Sequence, residues 1–447
     1  MVPDANAKLL SEVNKIISNA SNLTTNVYYD LYLQTVDIDI PIKFLDTIEI
    51  LRDYNGNIGD YGVLNFMLES GTYMKYIHNN RDNLEVTIIK HINSKKIINR
   101  YKFVIYNTVN DVIGTHLTTM TTDDLNKSSA LKLEGQFLNR TLEVLRGHTV
   151  DGIYTNNSSE DILKHIFIDS TERLKVESEN LKLSVSMIPA DNKRVIKRLT
   201  IPTGTKLFDL PPYLQDVKYG VYNGGIGVYL QQYGEEYADR IFLYPLYDNR
   251  QFDRVEKKVI IFNIHNNMYD HIEKTYFIDG DIIKLFSTSD SKTLDTSENE
   301  IIDSGNAIIK ANTQQLFTKS NSSVLVTDDN IGIAKKLNLQ GKQNYNRADG
   351  VNVVKFIKDN ESEYKYKADA IRKDMMFHQL QWNYSNIDLL YPGMPVMYVY
   401  IDNEGKIVKL TGTLQSVYVR YNKAANKEAA ILNIAVEKPH IKLRKES

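Results

Sequence analysis

Short runs of apolar and aromatic residues, separated by Asn, Gly and Asp, dominate the first hundred residues of the chain. Between residues 27 and 106 they read "NVYYDLYLQTVDIDI", "FLDTIEILRDY", "YGVLNFML", "NLEVTIIKHI" and "KKIINRYKFVIY". This spacing and punctuation favour strands over helices. The segment 23–115 is therefore predicted to be a compact β domain.

The segment 116–255 mixes helical and strand periods. Ser159 is predicted to cap a helix whose apolar face carries Ile162, Leu163 and Ile166. Further on, "GIGVYLQQYG" and "RIFLYPLYD" indicate a pair of strands. This segment is predicted to be an α+β domain.

Strand patterning resumes in the segments 256–286 and 351–440, which together form a predicted second β domain. Between them, the segment 287–350 is rich in Ser, Thr, Asn, Asp and Gly. It is predicted to be a loop-rich inserted subdomain with a few short strands. Ala368, Ile371 and Met375 recur at helical spacing, so a helix is expected before the last strands.

The N-terminal residues 1–22 have the pattern of an amphipathic helix. One face carries apolar side chains, and charged residues interrupt every apolar run. The apolar positions are Leu9, Leu10, Val13, Ile16 and Ile17. We expect neither a signal peptide here nor a membrane-spanning segment anywhere in the chain, since no run of eighteen apolar residues occurs.

The stretch "LLYPGMPVMYVYIDNEGKIVKLTGTLQSVYV", residues 389–419, predicts a β-hairpin. Every position from Val396 to Ile401 is bulky and apolar or aromatic, which is typical of a strand covered on both faces. A polar turn follows, in which glycine is able to adopt the positive φ that closes a short loop. The candidate turn and strand residues are Gly393, Tyr398, Tyr400, Asp402, Asn403, Glu404 and Gly405.

A second hairpin earlier in the chain has a related pattern. The residues 96–99 follow a strand and a polar turn as the residues 406–409 do, and both return strands continue into apolar residues. Two related β units would then lie about 310 residues apart. The alternative, that any two hairpins look alike, remains open at this point.

Composition excludes several classes of function. The 447 residues include 42% hydrophobic and 25% charged residues, enough for several packed cores. The net charge of −2 gives no basic field for nucleic acid or an anionic membrane. The absence of cysteine removes disulfides and thiolate metal sites. Tyrosine outnumbers phenylalanine by 29 to 14, which suits protein–protein contacts or reflects genome composition.

Candidate chemistry is weak, and we expect no catalytic, metal-binding or cofactor-binding residues. Asp53, Asn55 and Asn57 imitate a calcium loop, but the twelfth position is Leu64 instead of glutamate, so a tight turn is favoured. His265, Asp270 and His271 look like a polar hairpin tip. Nothing in the sequence selects a pair of carboxylates for glycoside hydrolysis.

The order of elements near the C-terminus resembles the baseplate hub protein of contractile-tailed bacteriophages. A helix, a "YPG" sequence before a strand, a polar turn, a return strand and a last strand carry the resemblance. In this chain they are residues 364–377, 391–393, 402–405, 408–419 and 431–436. Earlier stretches, "IEILRDYNGNIGDYGVLNFML" and "DRIFLYPLYDN", are compatible with the family. The insertion and the N-terminal helix depart from it.

The resemblance implies a homotrimeric ring with two tube-like β-barrel domains in each chain and no catalysis. Such a hub adapts the sixfold tail tube to the threefold central spike, and lysozyme activity, when present, lies on the spike chain. Tail tube protein, spike and neighbouring baseplate proteins would be its partners in the virion, after assembly in the host cytoplasm. The alternatives are a host-surface glycan-binding or glycan-degrading tail protein and a capsid-associated β-rich protein.

Overall fold

The structure, a computed structural model, shows a strand-rich α+β chain with one very large sheet and several small ones. It describes residues 5–19, 27–35, 38–80, 84–92, 95–109, 130–177, 183–233, 238–264, 275–287, 292–294, 307–310, 323–325, 353–357, 362–373, 375–402, 404–424 and 427–438. The β-rich α+β fold class predicted from the sequence is confirmed.

Seven antiparallel strands form the first β unit. In β1, buried and exposed side chains alternate, so one face of the sheet turns toward the core and the other outward. The sheet order is β2-β1-β5-β6-β7-β4-β3. The strands are β1 Val27–Thr35, β2 Ile38–Ile40, β3 Phe44–Asp53, β4 Tyr61–Met67, β5 Leu84–Ile92, β6 Lys95–Val109 and β7 Ala130–Leu138, with short helical turns at Tyr73–Ile77 and His78–Asn80.

Strand β7 lies beyond residue 115, where the sequence placed the end of the first β domain. It pairs with β4 on one side and with β6 on the other. The sheet of the first unit therefore extends into the segment that was assigned to the α+β domain. The membership of β7 in this sheet depends on its pairing with strands distant in sequence, which local composition does not reveal.

The α+β segment has a core of its own, to which its two helices, five of its strands and the helical turns at 207–217 contribute side chains. The helices are α2 Arg140–Gly147 and α3 Ser159–Glu177; the strands are β8 Thr149–Tyr154, β9 Asn157–Ser158, β10 Leu183–Met187, β11 Val195–Ile196, β12 Leu199–Lys206, β13 Ile226–Tyr233 and β14 Ala238–Pro245. Helical turns cover 207–217 and 251–254. The predicted strand pair is confirmed as antiparallel β13–β14.

The start of α3 differs by one residue from the prediction. Ser158, not Ser159, is the cap: its Oγ accepts a hydrogen bond from the Asp161 N–H at 3.1 Å, and the Asp161 carboxylate accepts from the Ser158 N–H at 3.2 Å. This reciprocal pair is a capping box. The predicted apolar face is confirmed, with Ile162, Leu163 and Ile166 buried.

The second β unit combines strands from either side of the insertion. They are β15 Lys258–Asn263, β16 Tyr276–Asp279 and β17 Ile282–Ser287, then β18 Lys292–Leu294, which lies inside the segment 287–350 predicted as the insertion, and β22 Met375–Asn383, β23 Pro395–Ile401, β24 Ile407–Asn422 and β25 Lys427–Glu437. Between β18 and β22, strands β19 Ala307–Lys310, β20 Ser323–Leu325 and β21 Val353–Ile357 form a small separate sheet, which extends beyond residue 350. Helix α4 Glu363–Lys373 precedes β22, so Met375 is the first residue of a strand and not part of the predicted helix.

Six strands of the first unit match six strands of the second. Numbered along the chain within each unit, the matching strands occupy the same positions across the sheet. The sheet orders are β1-β5-β6-β7-β4-β3 and β15-β23-β24-β25-β22-β18. Each unit also has a bulge at the same place, after Ile105 in β6 and after Leu414 in β24. The strand order thus agrees with the predicted relation between the two hairpins.

The two units share one continuous sheet and one hydrophobic core. The second half of β24 pairs with β3 on one side and with β25 on the other. Across the interior, the rings of Tyr29 and Tyr421 lie 4.8 Å apart, and those of Tyr276 and Trp382 lie 5.6 Å apart. These contacts join strands that are distant in the sheet order, so both halves of the sheet curl around their side chains.

Helix α1, Ala5–Asn19, packs on the outer face of the second unit. Leu9 and Val13 are buried against Phe262, Phe286 and Val399. The amphipathic helix predicted for residues 1–22 is present in its described part. Within the described segments, none of the helices is both long and apolar enough to cross a membrane.

Candidate functional site

The tip of the hairpin β23–β24 is organised by one aspartate. Asp402 Oδ1 accepts hydrogen bonds from the backbone N–H groups of Glu404 at 3.0 Å and Lys406 at 2.8 Å. Gly405 has a φ of 76°, as its place in the turn predicted. Asn403 lies outside the described residues. The role of Asp402 as the acceptor was not foreseen, although aspartate at the start of a turn is a known signal for it.

Gly393 marks a close contact between the hairpin and the α+β segment. Its φ is 68°, and a Cβ atom at this position would lie 2.3 Å from Cδ2 of the Tyr244 ring. The Tyr244 hydroxyl donates to the Tyr54 carbonyl at 2.6 Å, which fixes the ring from its other end. Any larger residue at 393 would displace this ring, so the glycine is required by packing as well as by backbone geometry.

Tyr398 and Tyr400 both contact the interior of the second unit. Tyr398 is 1% exposed, and Asn263 Nδ2 donates a hydrogen bond to its hydroxyl at 2.9 Å. The Tyr400 ring stacks on it with centroids 5.0 Å apart, and burial raises the pKa of Tyr400. In this chain Tyr398 is a core residue. A role for either tyrosine in the wall of a tube remains a prediction.

A buried ionic cluster lies where the two β units meet, and sequence reasoning did not find it. Lys90 on β5 is 3% exposed; its Nζ lies 2.8 Å from Asp388 Oδ2 and 3.1 Å from Glu428 Oε2. Tyr29 donates to Glu428 at 2.6 Å, and Ser385 donates to its other oxygen at 2.8 Å. A cation from the first unit therefore holds two carboxylates of the second.

The same cluster reaches the α+β segment through Arg52. Its Nε lies 3.4 Å from Asp60, and its Nη2 lies 3.9 Å from Asp388. Asp60 also accepts a hydrogen bond from Tyr229 of β13 at 2.7 Å. We call Arg52, Asp60, Lys90, Asp388 and Glu428 the ionic junction, because they connect all three parts of the chain.

Within the ionic junction, the electrostatics favour the charged forms of Asp388 and Lys90. Burial raises the pKa of Asp388, but the charges of Lys90 and Arg52 outweigh burial and hold that pKa below its usual range. Burial lowers the pKa of Lys90, but Asp388 and Glu428 outweigh it and raise that pKa. Fixed, paired charges of this kind suit a structural connection better than proton transfer.

Two cavities border these features. A cavity of about 30 Å³, enough for about one water molecule, touches Arg52, Asp60 and Asp388 of the ionic junction. A wider cleft of about 430 Å³ lies between the Asp53–Gly56 turn and helix α4. Among the lining residues that the structure describes, Tyr247 is the only aromatic one. These described residues do not form the aromatic-lined cleft that the glycan-binding alternative requires.

Asp53, Asn55 and Asn57, which imitate a calcium loop in the sequence, form a hydrogen-bonded turn. Asp53 Oδ1 accepts a hydrogen bond from the Asn55 N–H at 3.1 Å, and the Asp53 carbonyl accepts from the Asn57 N–H at 3.3 Å, as in the tight turn that was predicted. His265, Asp270 and His271 lie outside the described residues. In the part of the chain that the structure describes, no group of three or more His, Asp or Glu side chains could hold a metal ion.

No protein-family model matches the sequence, and a search of curated proteins found no match either. Among solved structures, the chain is similar to a tail protein from Neisseria meningitidis, with 9% identity, a TM-score of 0.44, and coverage of 91% of this chain and 96% of that one. It is also similar to the 43 kDa tail protein of prophage MuSo2 from Shewanella oneidensis, with 10% identity, a TM-score of 0.46, and coverage of 91% and 98%.

A third similar structure is an Escherichia coli component of the type VI secretion system. That protein is described as structurally similar to tail proteins of bacteriophage T4. The identity is 10%, the TM-score is 0.39, and the coverage is 91% of this chain and 77% of that one. The TM-scores of these three structures lie below 0.5, so the similarities by themselves indicate no function for this chain.

Proposed function

We propose that this chain is a structural baseplate hub of a contractile phage tail. Three copies would form a ring that adapts the sixfold tail tube to the threefold central spike. The observation that carries the proposal is the pair of β units with one strand order in a single chain.

A closed ring requires each contact patch to recur at every subunit. Three chains with two similar β units each present six similar walls to a sixfold tube, while the remaining segments keep threefold symmetry. A chain with one β unit, or with two unrelated units, would not offer this match.

The ionic junction supports the proposed hub role. Two β units that form adjacent parts of a ring wall need a fixed angle between them, and the ionic junction connects them. Lys90, Asp388 and Glu428 connect the units at their common core, and β24 pairs with β3 across the boundary. The proposed partners are the tail tube protein, the central spike protein and neighbouring baseplate proteins. The proposed location is the tail baseplate of the virion, after assembly in the host cytoplasm.

The test is the oligomeric state and shape of the purified chain, alone and with the central spike protein. We expect analytical ultracentrifugation to show a trimer and electron microscopy to show a ring with six β units around a channel. Contacts in such a permanent ring should bury more than roughly 2,000 Å² per interface. A monomer in both conditions, or a ring without a pseudo-sixfold arrangement, would contradict the hub role.

We also propose that the chain has no hydrolase activity. Incubation with peptidoglycan or with surface polysaccharide should release no fragments. Reproducible cleavage that is abolished by changing one carboxylate would instead support the glycan-degrading alternative.

A further inference from the structure

The duplicated units allow a comparison of matching outer faces. Ile98 on β6 stands opposite Ile89 on β5, and Ile407 on β24 stands opposite Ile401 on β23. Ile98 and Ile407 lie the same number of residues before the bulge of their strand. The two isoleucine pairs therefore occupy equivalent positions on the outer faces of the two units.

Helix α1 covers this position in the second unit. Leu9 and Val13 of α1 are 2% and 0% exposed, and they pack with Val399. Ile401 and Ile407 are partly buried in the same cluster. We call the surface around Ile401 and Ile407 the covered face.

The equivalent surface of the first unit is exposed. Ile98 is 49% exposed, and two tyrosines of β1 lie on the same face, Tyr28 at 42% and Tyr32 at 56% exposed. The Tyr28 ring stacks on the His91 ring with centroids 4.1 Å apart, which fixes its position. We call the surface formed by Tyr28, Tyr32 and Ile98, with the largely buried Ile89 (9% exposed) between them, the open face. The exposed apolar groups of Tyr28, Tyr32 and Ile98 are neighbours, and such groups mark interaction sites.

The charges around the open face indicate which kind of ligand it would bind. On β6, the exposed side chains of Lys96 and Arg100 flank Ile98 on the same side of the strand. Of the acidic groups on this face, Glu85 is exposed on β5 opposite Lys102, and Asp30 already lies 3.1 Å from His91 and 3.5 Å from Lys423. The rim along β6 is therefore basic, and an acidic ligand would complement it.

The resident helix does not fit this rim. Helix α1 exposes Lys8 and Lys15 beside Glu12, so the α1 of a second copy would place basic residues against Lys96 and Arg100. Like charges at such a contact disfavour binding. A helix that binds the open face would therefore resemble α1 in shape but would carry acidic residues where α1 carries lysines.

We propose that the open face binds an amphipathic helix of a partner protein, with acidic residues on both sides of its apolar stripe. The helix lies across β5 and β6 as α1 lies on the covered face, with Ile98 and Tyr32 against the stripe and Lys96 and Arg100 beside its carboxylates. This inference depends on the duplication of the units and not on the hub role.

The test uses the full chain and two hydrocarbon-stapled, labelled peptides. One has the sequence of α1, residues 5–19; the other is its acidic form, with Lys8→Glu and Lys15→Glu. Fluorescence anisotropy should show that the acidic peptide binds at least about tenfold more tightly than the unchanged one. Ile98→Asp or Tyr32→Asp in the chain should weaken binding by about tenfold or more. Ile168→Asp, at an isoleucine with 44% exposure on α3, is the matched control and should leave binding unchanged.

Because the chain has no cysteine, single cysteines can locate the bound peptide. A photo-crosslinker on Thr87→Cys, on the outward side of β5, should capture the acidic peptide, whereas one on Lys409→Cys, beside the covered face, should not. Lys96→Glu combined with Arg100→Glu should reverse the preference between the peptides. Failure of both peptides to bind, tighter binding of the unchanged peptide, or capture at Lys409→Cys would each overturn the proposal.

Discussion

The two β units share a strand order but differ in how their first strand is held. In the first unit, β1 pairs with β5 in antiparallel fashion over eight residue pairs. In the second, β15 pairs with β23 in parallel fashion over four. Strand β15 gains a second parallel partner, β17. The direction of this strand is thus reversed between the units, while the hairpin and the bulge beside it are preserved.

The outer faces show what accompanies this difference. In the second unit, α1 covers the outer face and packs against Phe262 and Phe286, whose stacked rings have centroids 5.6 Å apart. The first unit leaves its outer face open and places its buried charges inside, at Lys90 and Arg52. One strand order is therefore compatible with two ways of stabilising a curled sheet.

The largest effect is expected from Lys90→Met. This change leaves the carboxylates of Asp388 and Glu428 without their shared cation, and breaking a buried ion pair typically costs about 3–5 kcal/mol. Urea unfolding should show this loss in the free energy of unfolding. The matched change Lys96→Met, at an exposed position on the next strand, should cost less than about 0.5 kcal/mol. Equal effects of the two changes would show that the ionic junction does not hold the units together.

The Val13→Asp variant tests whether helix α1 stabilises the second unit. Val13 is 0% exposed, and a carboxylate in its place would detach α1 from the covered face. Loss of the buried valine should cost roughly 2–3 kcal/mol, and hydrogen exchange should show α1 and β15 losing protection together. Ser11→Asp, on the exposed side of the same helix, is the control. Unchanged protection in the Val13→Asp variant would mean that the helix does not stabilise the second unit.

A smaller effect is expected from Gly405→Val in the turn of the second hairpin. Nothing lies within 4 Å of a Cβ atom at this position, so the cost arises from the φ of 76° alone. A β-branched residue there should lose about 1–2 kcal/mol, seen as a lower melting temperature. Gly405→Asn, which tolerates this backbone region, should lose less. If valine and asparagine behave alike, the turn relaxes and its geometry is not specified by the glycine.

The smallest effect concerns pH and His378, which packs against Tyr398 in the second unit with ring centroids 4.8 Å apart. Burial lowers the pKa of His378 to about 4. Because the unfolded chain binds this proton near pH 6.5 and the folded chain does not, stability is complete above pH 6.5 and falls as the pH drops toward 4. Between pH 8 and pH 6 the loss should be up to about 1 kcal/mol. His378→Phe should flatten this dependence, and an unchanged slope would assign it to other groups.

The sequence predicted the features that depend on neighbouring residues. Alternating apolar positions gave the strands, "DNEG" gave the turn at Gly405, and the apolar spacing of Ile162, Leu163 and Ile166 gave the buried side of α3. The related hairpins were visible because their local patterns are similar. In each case the cause lies within a few residues, where periodicity and turn preferences act.

Only the tertiary structure decided which strands pair and which charges meet. Lys90 and Glu428 are more than 300 residues apart in the chain, and nothing near either residue indicates its partner. The place of β7 in the first sheet and the opposite directions of β1 and β15 depend on pairings of the same long-range kind. Hydrophobic patterning along a strand determines which of its faces is buried, but the folded core determines which strand pairs with it. The core also determines which charges meet, because a buried charge is tolerated only beside an opposite charge.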